Sequence, residues 1–135
     1  MGWASPKGSV CRCCLPPLPH GLSNALVLMG VLRFNLPEAQ VLYAELAPLL
    51  DPQLQGLPAA ERGQRFVDAL ASICRDCKVP ASLAEVGVSE ADLPRLAEDA
   101  MKQTRLLVNN PREVTYQDAY TIYSDALDGK RRQAA

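Results

Sequence analysis

The feature that most constrains this chain is the spacing of its apolar residues. From Gly21 onward, nearly every segment repeats them with a period of about 3.6 residues, the period of an amphipathic α-helix. No run of five or more residues alternates apolar and polar side chains as a half-buried strand does. The sequence therefore predicts an all-α protein, a bundle of about five helices.

Turn and capping residues place these helices along the chain. Pro37 suits the first turn of a helix, and Pro52 ends that helix. Thr115 and Asp118 have the spacing of a capping box, as do Ser89 and Asp92. The predicted helices are Leu22–Phe34, one from Pro37 to Pro52, Glu61–Cys77, one from Pro94 past Met101, and one from Thr115 to Gly129.

Each predicted helix has an apolar face that is expected to be buried. The first helix is apolar almost all round, so it should be central in the bundle. The buried stripe of the second is predicted to contain Val41, Leu42, Leu46, Leu49 and Leu50. The buried face of the third is predicted to contain Phe66, Val67, Leu70, Ile73, Cys74 and Cys77.

Length and composition indicate one modest domain. The chain has 135 residues, of which 48% are hydrophobic and 21% charged, which is ordinary globular usage. Residues 1–17 concentrate Gly, Pro and three Cys without a helical period, so they are predicted to be irregular. Residues 18–128 form the predicted helical domain, and residues 129–135 are expected to be a frayed tail.

Charge and hydropathy argue against two classes of partner. Fourteen Lys+Arg against fifteen Asp+Glu give a formal charge of −1, so no basic excess draws the chain to nucleic acid or an anionic membrane. The apolar run at 22–32 is shorter than the roughly 20 residues that a transmembrane helix needs. Proline residues before that run do not fit a signal peptide, and five cysteines do not form an even disulfide framework. The chain is therefore predicted to be cytoplasmic, with reduced thiols.

His20 is the single histidine of the chain, and it lies between Pro19 and Gly21 where the first helix is predicted to begin. Unpaired backbone N–H groups at a helix start favour a neutral imidazole, which is the form that binds a metal. His20 is therefore a candidate metal ligand, and we expect it at the mouth of an open concavity lined by the first helix. The alternative is a histidine whose side chain only completes a turn.

Two other segments contain residues of chemical interest. Cys74 and Cys77 have C-x-x-C spacing and, with the three N-terminal cysteines, could supply thiolates to a zinc ion. They lie one turn apart on an apolar helix face, however, where a free cysteine acts as a small hydrophobe, so the core is the favoured location. The NNPR run at Asn109–Arg112 is explained by a helix-terminating turn, since Pro111 prevents the helix from continuing.

Two segments of the sequence form a recognisable pattern: HGLSNALVL at residues 20–28 and VLRFN at residues 31–35. It resembles the His-Gly-x-x-Asn-Ala segment of the iron-dependent (group III) alcohol dehydrogenases. Residues 86–94, the NNPR run and the helix to Leu127 look like the closing segment of the same family, in the same order and at a similar separation. The resemblance covers about residues 18–128 and corresponds to the later part of the family's helical domain.

The resemblance implies a fold and a chemistry. In that family a dinucleotide-binding α/β domain precedes an all-helical domain, and one Asp and three His bind a metal in the cleft between them. His20 matches the last of those histidines, so the resemblance makes His20 a metal ligand. It also implies Fe(II) or Zn(II) and NAD(P) as cofactors, and an oxidoreductase acting on a small alcohol or aldehyde whose oxygen the metal polarises.

The chain also departs from the family pattern. Met29-Gly30 stand where the family usually has Pro-His, residues 1–17 resemble nothing in it, and neither the Gly-rich dinucleotide loop nor the other metal ligands are found. One imidazole is too few for a divalent ion, because tight sites gather three or four ligands. We therefore expect a truncated fragment that is inactive on its own. The alternative is a non-catalytic helical interaction module, which could form a homo-oligomer through exposed apolar surface.

Overall fold

The computed structural model describes residues 18–129, which fold into five α-helices without a strand. The helices are α1 (His20–Leu50), α2 (Ala59–Asp76), α3 (Leu93–Met101), α4 (Thr104–Leu107) and α5 (Tyr116–Asp128). Short 3-10 helices lie in the connections at Pro52–Gly56, Ala84–Val86 and Glu90–Asp92. The all-α prediction is therefore confirmed. The predictions for residues 1–17 and for the tail beyond Gly129 lie outside the described residues.

The longest helix corrects a predicted boundary. The sequence predicts two helices that meet near Pro37, whereas α1 runs without a break from His20 to Leu50 with Pro37 and Pro48 inside it. A proline inside a helix removes one backbone hydrogen bond and crowds the preceding turn. The helix is held on both sides of Pro37, because its first half contacts α5 near Gly30 and its second half contacts α2 near Gln40. Tertiary packing thus overrides the local effect of the proline.

The second half of α1 buries a different face from the predicted one. Its buried residues are Ala39, Tyr43, Ala44 and Ala47. The backbones of α1 and α2 approach closely here, since a Cβ added to Gly63 would lie 3.0 Å from the carbonyl oxygen of Gln40. The rings of Tyr43 and Phe66 pack with their centres 5.3 Å apart. The predicted stripe instead faces solvent, and we call it the α1 outer stripe: Val41, Leu42, Leu46, Leu49 and Leu50.

Two apolar clusters form the interior of the described region. The first lies between α1 and α2 and contains Met29, Ala39, Tyr43, Ala47, Phe66, Val67, Ala71 and Cys74. The second connects the start of α1 with α3 and the 3-10 turns, and contains Leu18, Leu26, Leu83, Val88 and Leu96. The two clusters share α1, which agrees with the prediction that this helix is central.

The cysteine pair is divided between interior and surface. Cys74 is buried in the first cluster, as the sequence predicts. Cys77 is exposed, so its predicted burial is wrong. The reason is that α2 ends at Asp76, and the chain turns away through a left-handed backbone angle at Lys78 (φ 55°). Ile73, also predicted to be buried, is exposed as well.

The predicted capping boxes are both confirmed. At the start of α5, the backbone N–H of Thr115 donates to Asp118 Oδ2 at 2.9 Å, and the Asp118 N–H donates to Thr115 Oγ1 at 3.2 Å. The hydrogen bonds from Thr115 lower the pKa of the Asp118 carboxyl. Gly129 ends α5 in the left-handed region (φ 66°), where glycine is favoured.

A pair of side-chain amides connects the loop before α5 to the middle of α1. Asn35 Nδ2 donates to Asn110 Oδ1, and Asn110 Nδ2 donates to Asn35 Oδ1, each at 2.8 Å. Beside them, Arg112 Nη1 donates to the carbonyl oxygen of Phe34 at 3.0 Å, and its guanidinium lies 4.1 Å from the centre of the Phe34 ring. We call Asn35, Asn110 and Arg112 the amide latch. The NNPR run therefore fixes the α4–α5 connection against α1, in addition to ending a helix.

The helix α1 also meets a membrane-span criterion. Among residues 18–129, it is the one helix long and apolar enough to cross a membrane, by length and composition only, with a mean hydropathy of 1.3 in its most apolar window. A core helix of a soluble protein satisfies the same criterion. The helix α1 contacts both α2 and α5, and 28% of that window is buried inside the protein.

Candidate functional site

The candidate site lies at the start of α1, where His20 is the first helical residue, as the sequence predicts. The carbonyl oxygen of Pro19 accepts backbone hydrogen bonds from Leu22 at 3.0 Å and from Ser23 at 3.1 Å. Because the proline ring fixes φ, the chain enters the helix with little freedom. The backbone of His20 is therefore well defined, while the residue itself is exposed to solvent.

Two polar side chains of the first helical turns lie against His20. Asn24 Nδ2 is 3.3 Å from His20 Nε2, and since an amide nitrogen only donates, Nε2 is the accepting ring nitrogen in this contact. Ser23 Oγ donates to the backbone oxygen of His20 at 2.9 Å. The imidazole thus has one weak, exposed side-chain partner. It is not held as a buried, fully hydrogen-bonded histidine would be.

Beside His20 lies an open concavity of about 380 Å³, which we call the His20 concavity. Its buried floor is apolar and consists of Leu18, Leu83, Val88 and Leu96, all members of the second cluster. Its exposed rim contains His20, Asn24, Gln103 and Leu106. The structure therefore has His20 at the edge of a concavity that α1 helps to line, which is the expected arrangement.

One carboxylate lines the rim of the concavity. Asp99 accepts a hydrogen bond from Lys102 Nζ at 2.7 Å, and Arg95 Nε lies 3.9 Å from its other oxygen. The hydrogen bond from Lys102 lowers the pKa of the Asp99 carboxyl, so the group is ionised at neutral pH. The two cations, Lys102 and Arg95, partly neutralise its negative charge. Asp99 therefore contributes a screened negative charge to the rim.

The walls supplied by α3 and α4 could not be identified from the sequence. Leu96, Asp99, Gln103 and Leu106 lie more than 70 residues after His20, and their local patterns are those of ordinary amphipathic helices. Neither Cys74 nor Cys77 lines the concavity, and the NNPR run is used in the amide latch instead. Of the candidate chemical groups named from the sequence, which are His20, the cysteine pair and the NNPR run, His20 is the one that lines this concavity.

The described residues do not make a complete metal site. Within 18–129, no three side chains of His, Cys, Asp or Glu converge as a metal ion requires. His20 has the chemistry and exposure of a single ligand, but a stable site for a divalent ion gathers three or four. The donor set present therefore does not fit an iron or zinc ion by itself.

Comparison with known proteins identifies the family to which this chain is similar. Residues 16–127 match the model described as "Fe-containing alcohol dehydrogenase family, C-terminal". The chain is 32% identical over 110 residues to a 1,3-propanediol dehydrogenase of Klebsiella pneumoniae, covering 82% of this chain and 28% of that protein. It is 32% identical over 108 residues to a lactaldehyde reductase of Escherichia coli (strain K12), covering 80% of this chain and 28% of that protein.

A solved structure gives the same result. The structure of a 1,3-propanediol oxidoreductase superposes with a TM-score of 0.76 at 31% identity, covering 82% of this chain and 28% of the other. The chain thus spans a little over a quarter of the length of these relatives. The similarity begins just before His20 and continues through α5. The chain therefore belongs to the Fe-containing alcohol dehydrogenase family and corresponds to the C-terminal part of its members.

Proposed function

We propose that this chain is the C-terminal helical part of an iron-dependent, NAD(P)-linked alcohol dehydrogenase, and that His20 is one ligand of its metal. The observation that carries the proposal is an exposed histidine at the first residue of α1, inside the family match and beside an open concavity. The substrate is a small alcohol or aldehyde, and the protein works in the cytoplasm. Its charge of −1 gives no reason to expect nucleic acid as a partner.

The chain's own residues have limited roles in this proposal. His20 supplies one imidazole nitrogen, and Pro19 fixes where that imidazole enters the helix. The Asn24 amide donates to Nε2, so a metal bound at Nε2 would displace that contact. The metal, Fe(II) or Zn(II), when bound would polarise the oxygen of the substrate. The remaining ligands and the site for the nicotinamide cofactor are to be supplied from outside residues 18–129, because no three metal-binding side chains converge within these residues.

The purified chain is expected to show no alcohol oxidation or aldehyde reduction by itself. Hydride transfer needs substrate, metal and nicotinamide in one cleft, and a single imidazole does not assemble them. The measurement is NADH or NADPH absorbance in the presence of Fe(II) or Zn(II), with 1-propanol or propanal as substrate. Turnover above a metal-free control that includes a chelator would contradict the proposed inactivity of the isolated chain.

Replacing His20 by Ala is expected to leave folding nearly unchanged. The residue is exposed and its one side-chain partner is another exposed residue, so we expect less than about 1 kcal/mol of lost stability. Weak Co(II) binding by the parent chain, followed by the paramagnetic broadening of signals near residue 20, should be lost in the variant. Gln103→Ala, on the same rim, is the matched control and should keep it. A loss of stability above about 2 kcal/mol would instead mark His20 as a structural histidine.

A second candidate function is a non-catalytic interaction module. The α1 outer stripe favours it, because five large apolar residues on one helix face are exposed, with Leu49 at 79%. A second copy of the chain is the simplest partner for such a stripe. Sedimentation at increasing protein concentration tests this candidate: a dimer that Leu49→Glu dissociates would support it, and a monomer at all concentrations would count against it.

A further inference from the structure

We propose that Met29, Cys74 and Cys77 form a binding site for one Cu(I) ion, which we call the sulfur site. The site lies at the end of α2 and on the turn of α1 that faces it. It is separate from the proposed function, because none of its three residues lines the His20 concavity. Thiolates and thioethers are soft ligands, the type that suits Cu(I).

The end of α2 holds two thiols in a fixed relation. Cys74 lies in the last turn of the helix, and Cys77 is the residue that caps it. The Val79 N–H donates to the Cys74 carbonyl oxygen at 3.0 Å. The Lys78 N–H donates to the Arg75 carbonyl oxygen at 2.9 Å, which completes the hydrogen-bond pattern of a Schellman motif. This pattern fixes the backbone of Cys77 relative to that of Cys74.

The spacing of these thiols suits a bridging ion better than a direct bond between them. Residues three positions apart on a helix have their Cβ atoms about 5–6 Å apart. A disulfide requires Cβ atoms about 3.5–4.5 Å apart, so the helix end would have to distort to form one. An ion placed between the two sulfur atoms bridges the wider gap. Cys74 and Cys77 are both free, so both thiols are available as ligands.

The third ligand is supplied by α1, which runs antiparallel to α2 because residues 51–58 reverse the chain between the two packed helices. The two backbones come close where Gly63 meets Gln40. Met29 lies eleven residues before Gln40, and Cys74 lies eleven residues after Gly63. Since eleven residues make about three full turns, Met29 and Cys74 are at the same level of the helix pair and on the facing sides.

The burial of Met29 supports this placement. Met29 is 2% exposed, and it belongs with Cys74 to the first apolar cluster, between α1 and α2. The next buried α1 residue of that cluster is Ala39, about 15 Å further along the helix at 1.5 Å per residue. Met29 therefore joins the cluster through α2. Its unbranched side chain has three rotatable bonds, so its sulfur can adjust toward an ion beside Cys74.

The donor set favours Cu(I) over Zn(II). A structural Zn(II) ion takes four ligands, and within residues 18–129 no group of three His, Cys, Asp or Glu side chains converges. Cu(I) is satisfied by a linear or trigonal set of sulfur atoms, which two thiolates and one thioether provide. Exposed Cys77 gives the ion a route into the site. Binding releases the two thiol protons to water and leaves the oxidation state of copper unchanged.

The test is an anaerobic titration with Cu(I), in competition with bicinchoninate, of the full chain carrying Cys11→Ser, Cys13→Ser and Cys14→Ser. These substitutions leave Cys74 and Cys77 as its two thiols. We expect one equivalent of Cu(I) to bind, with the ultraviolet charge-transfer absorption of copper–thiolate bonds and three sulfur neighbours by X-ray absorption. No binding in this competition, or a copper shell of nitrogen and oxygen atoms, would overturn the proposal.

Cys77→Ser in the same background tests the thiolate ligands. Cys77 is exposed, so the variant should stay folded, while Cu(I) binding should weaken about a hundredfold or more because one of two soft anionic ligands is lost. Asp76→Asn, at the preceding exposed residue, is the matched control and should leave the affinity unchanged. Equal affinities of these two variants would show that other groups hold the ion, and would contradict the proposal.

Met29→Leu tests the third ligand. The substitution nearly conserves the buried volume and removes the thioether, so the helices should stay packed. Cu(I) binding should weaken about tenfold, less than in Cys77→Ser, because a neutral thioether is a weaker ligand than a thiolate. The number of sulfur neighbours should fall from three to two. Met101→Leu, at the end of α3, is the matched control, and the same sulfur count in both methionine variants would refute the role of Met29.

Discussion

Asn110→Ala is expected to lower the free energy of unfolding by about 2–3 kcal/mol. The substitution removes both hydrogen bonds between Asn110 and Asn35, and leaves the donor and acceptor of the Asn35 amide without those partners. Asn35 is only 4% exposed, so water has little access to replace them. A buried polar group left unsatisfied costs about 1–3 kcal/mol. The Asn35 oxygen is the group affected most, since the Asn35 amide also has a hydrogen bond with Tyr43. Urea unfolding followed by circular dichroism measures the change.

Asn109→Ala is the matched control for this variant. Asn109 is the preceding residue of the same loop, and its amide donates to the Arg105 carbonyl oxygen on an exposed surface. Its removal should cost less than about 1 kcal/mol, because water can satisfy the freed carbonyl. The double variant Asn35→Ala/Asn110→Ala should cost less than the sum of the two single variants, since neither then leaves a buried partner behind. Equal costs for Asn109→Ala and Asn110→Ala would contradict the importance of the amide latch.

The amide latch also illustrates which parts of the fold a sequence can predict. The caps at Ser89 and Thr115 depend on residues three positions apart, so their spacing in the sequence was sufficient. The Asn35–Asn110 pair joins residues that are 75 positions apart, and no local sequence pattern around either residue predicts their contact. The sequence predicts the turn at the NNPR run, which the structure has, but the contact of this run with α1 is visible only in the tertiary structure.

The incorrect face of α1 has a different cause. The periodicity argument depends on large apolar residues, and it therefore predicts that Leu46 and Leu49 are buried. The contact with α2 is instead made by Ala39, Ala47 and one large residue, Tyr43. Small residues fit there because the two backbones approach closely at Gly63, where an added Cβ would lie 3.0 Å from the Gln40 carbonyl oxygen. Small residues such as alanine contribute little to the apolar periodicity of a sequence, so the periodicity does not reveal a close helix contact that they form. The leucines were left on the opposite face, where they form the α1 outer stripe.

Of the residues that line the site, the sequence predicts a functional role for His20. His20 could be found because Pro19 and Gly21 are local indicators of a helix start, and because the family pattern begins there. The size and polarity of the concavity depend on how α3 and α4 pack beside α1, which no local pattern specifies. The sequence thus predicts one candidate ligand-binding residue, and the structure was needed to find the concavity beside it.

The largest loss of stability is expected when Met29-Gly30 is replaced by Pro-His, the pair that the family usually has at this position. Met29 lies inside α1 and is 2% exposed, so a proline there removes a helical hydrogen bond and a buried side chain at once. The proline alone costs about 3 kcal/mol or more, and loss of the methionine packing adds about 2 kcal/mol or more. Since a small domain has only about 5–15 kcal/mol of net stability, most of the double variant should be unfolded at 25 °C.

The two positions act through different contacts, which single variants can separate. Gly30→His is expected to cost about 1–3 kcal/mol by overpacking, because even a Cβ at this position would lie 3.1 Å from Ile122 Cγ2 and an imidazole would force α5 away from α1. Leu28→His, two residues earlier and 37% exposed, is the matched control and should cost less than Gly30→His. Thermal and urea unfolding of the three variants provide the measurement. A double variant as stable as the parent would show that α1 can break at residue 29, and that the continuous helix is not required for packing between α1 and α5.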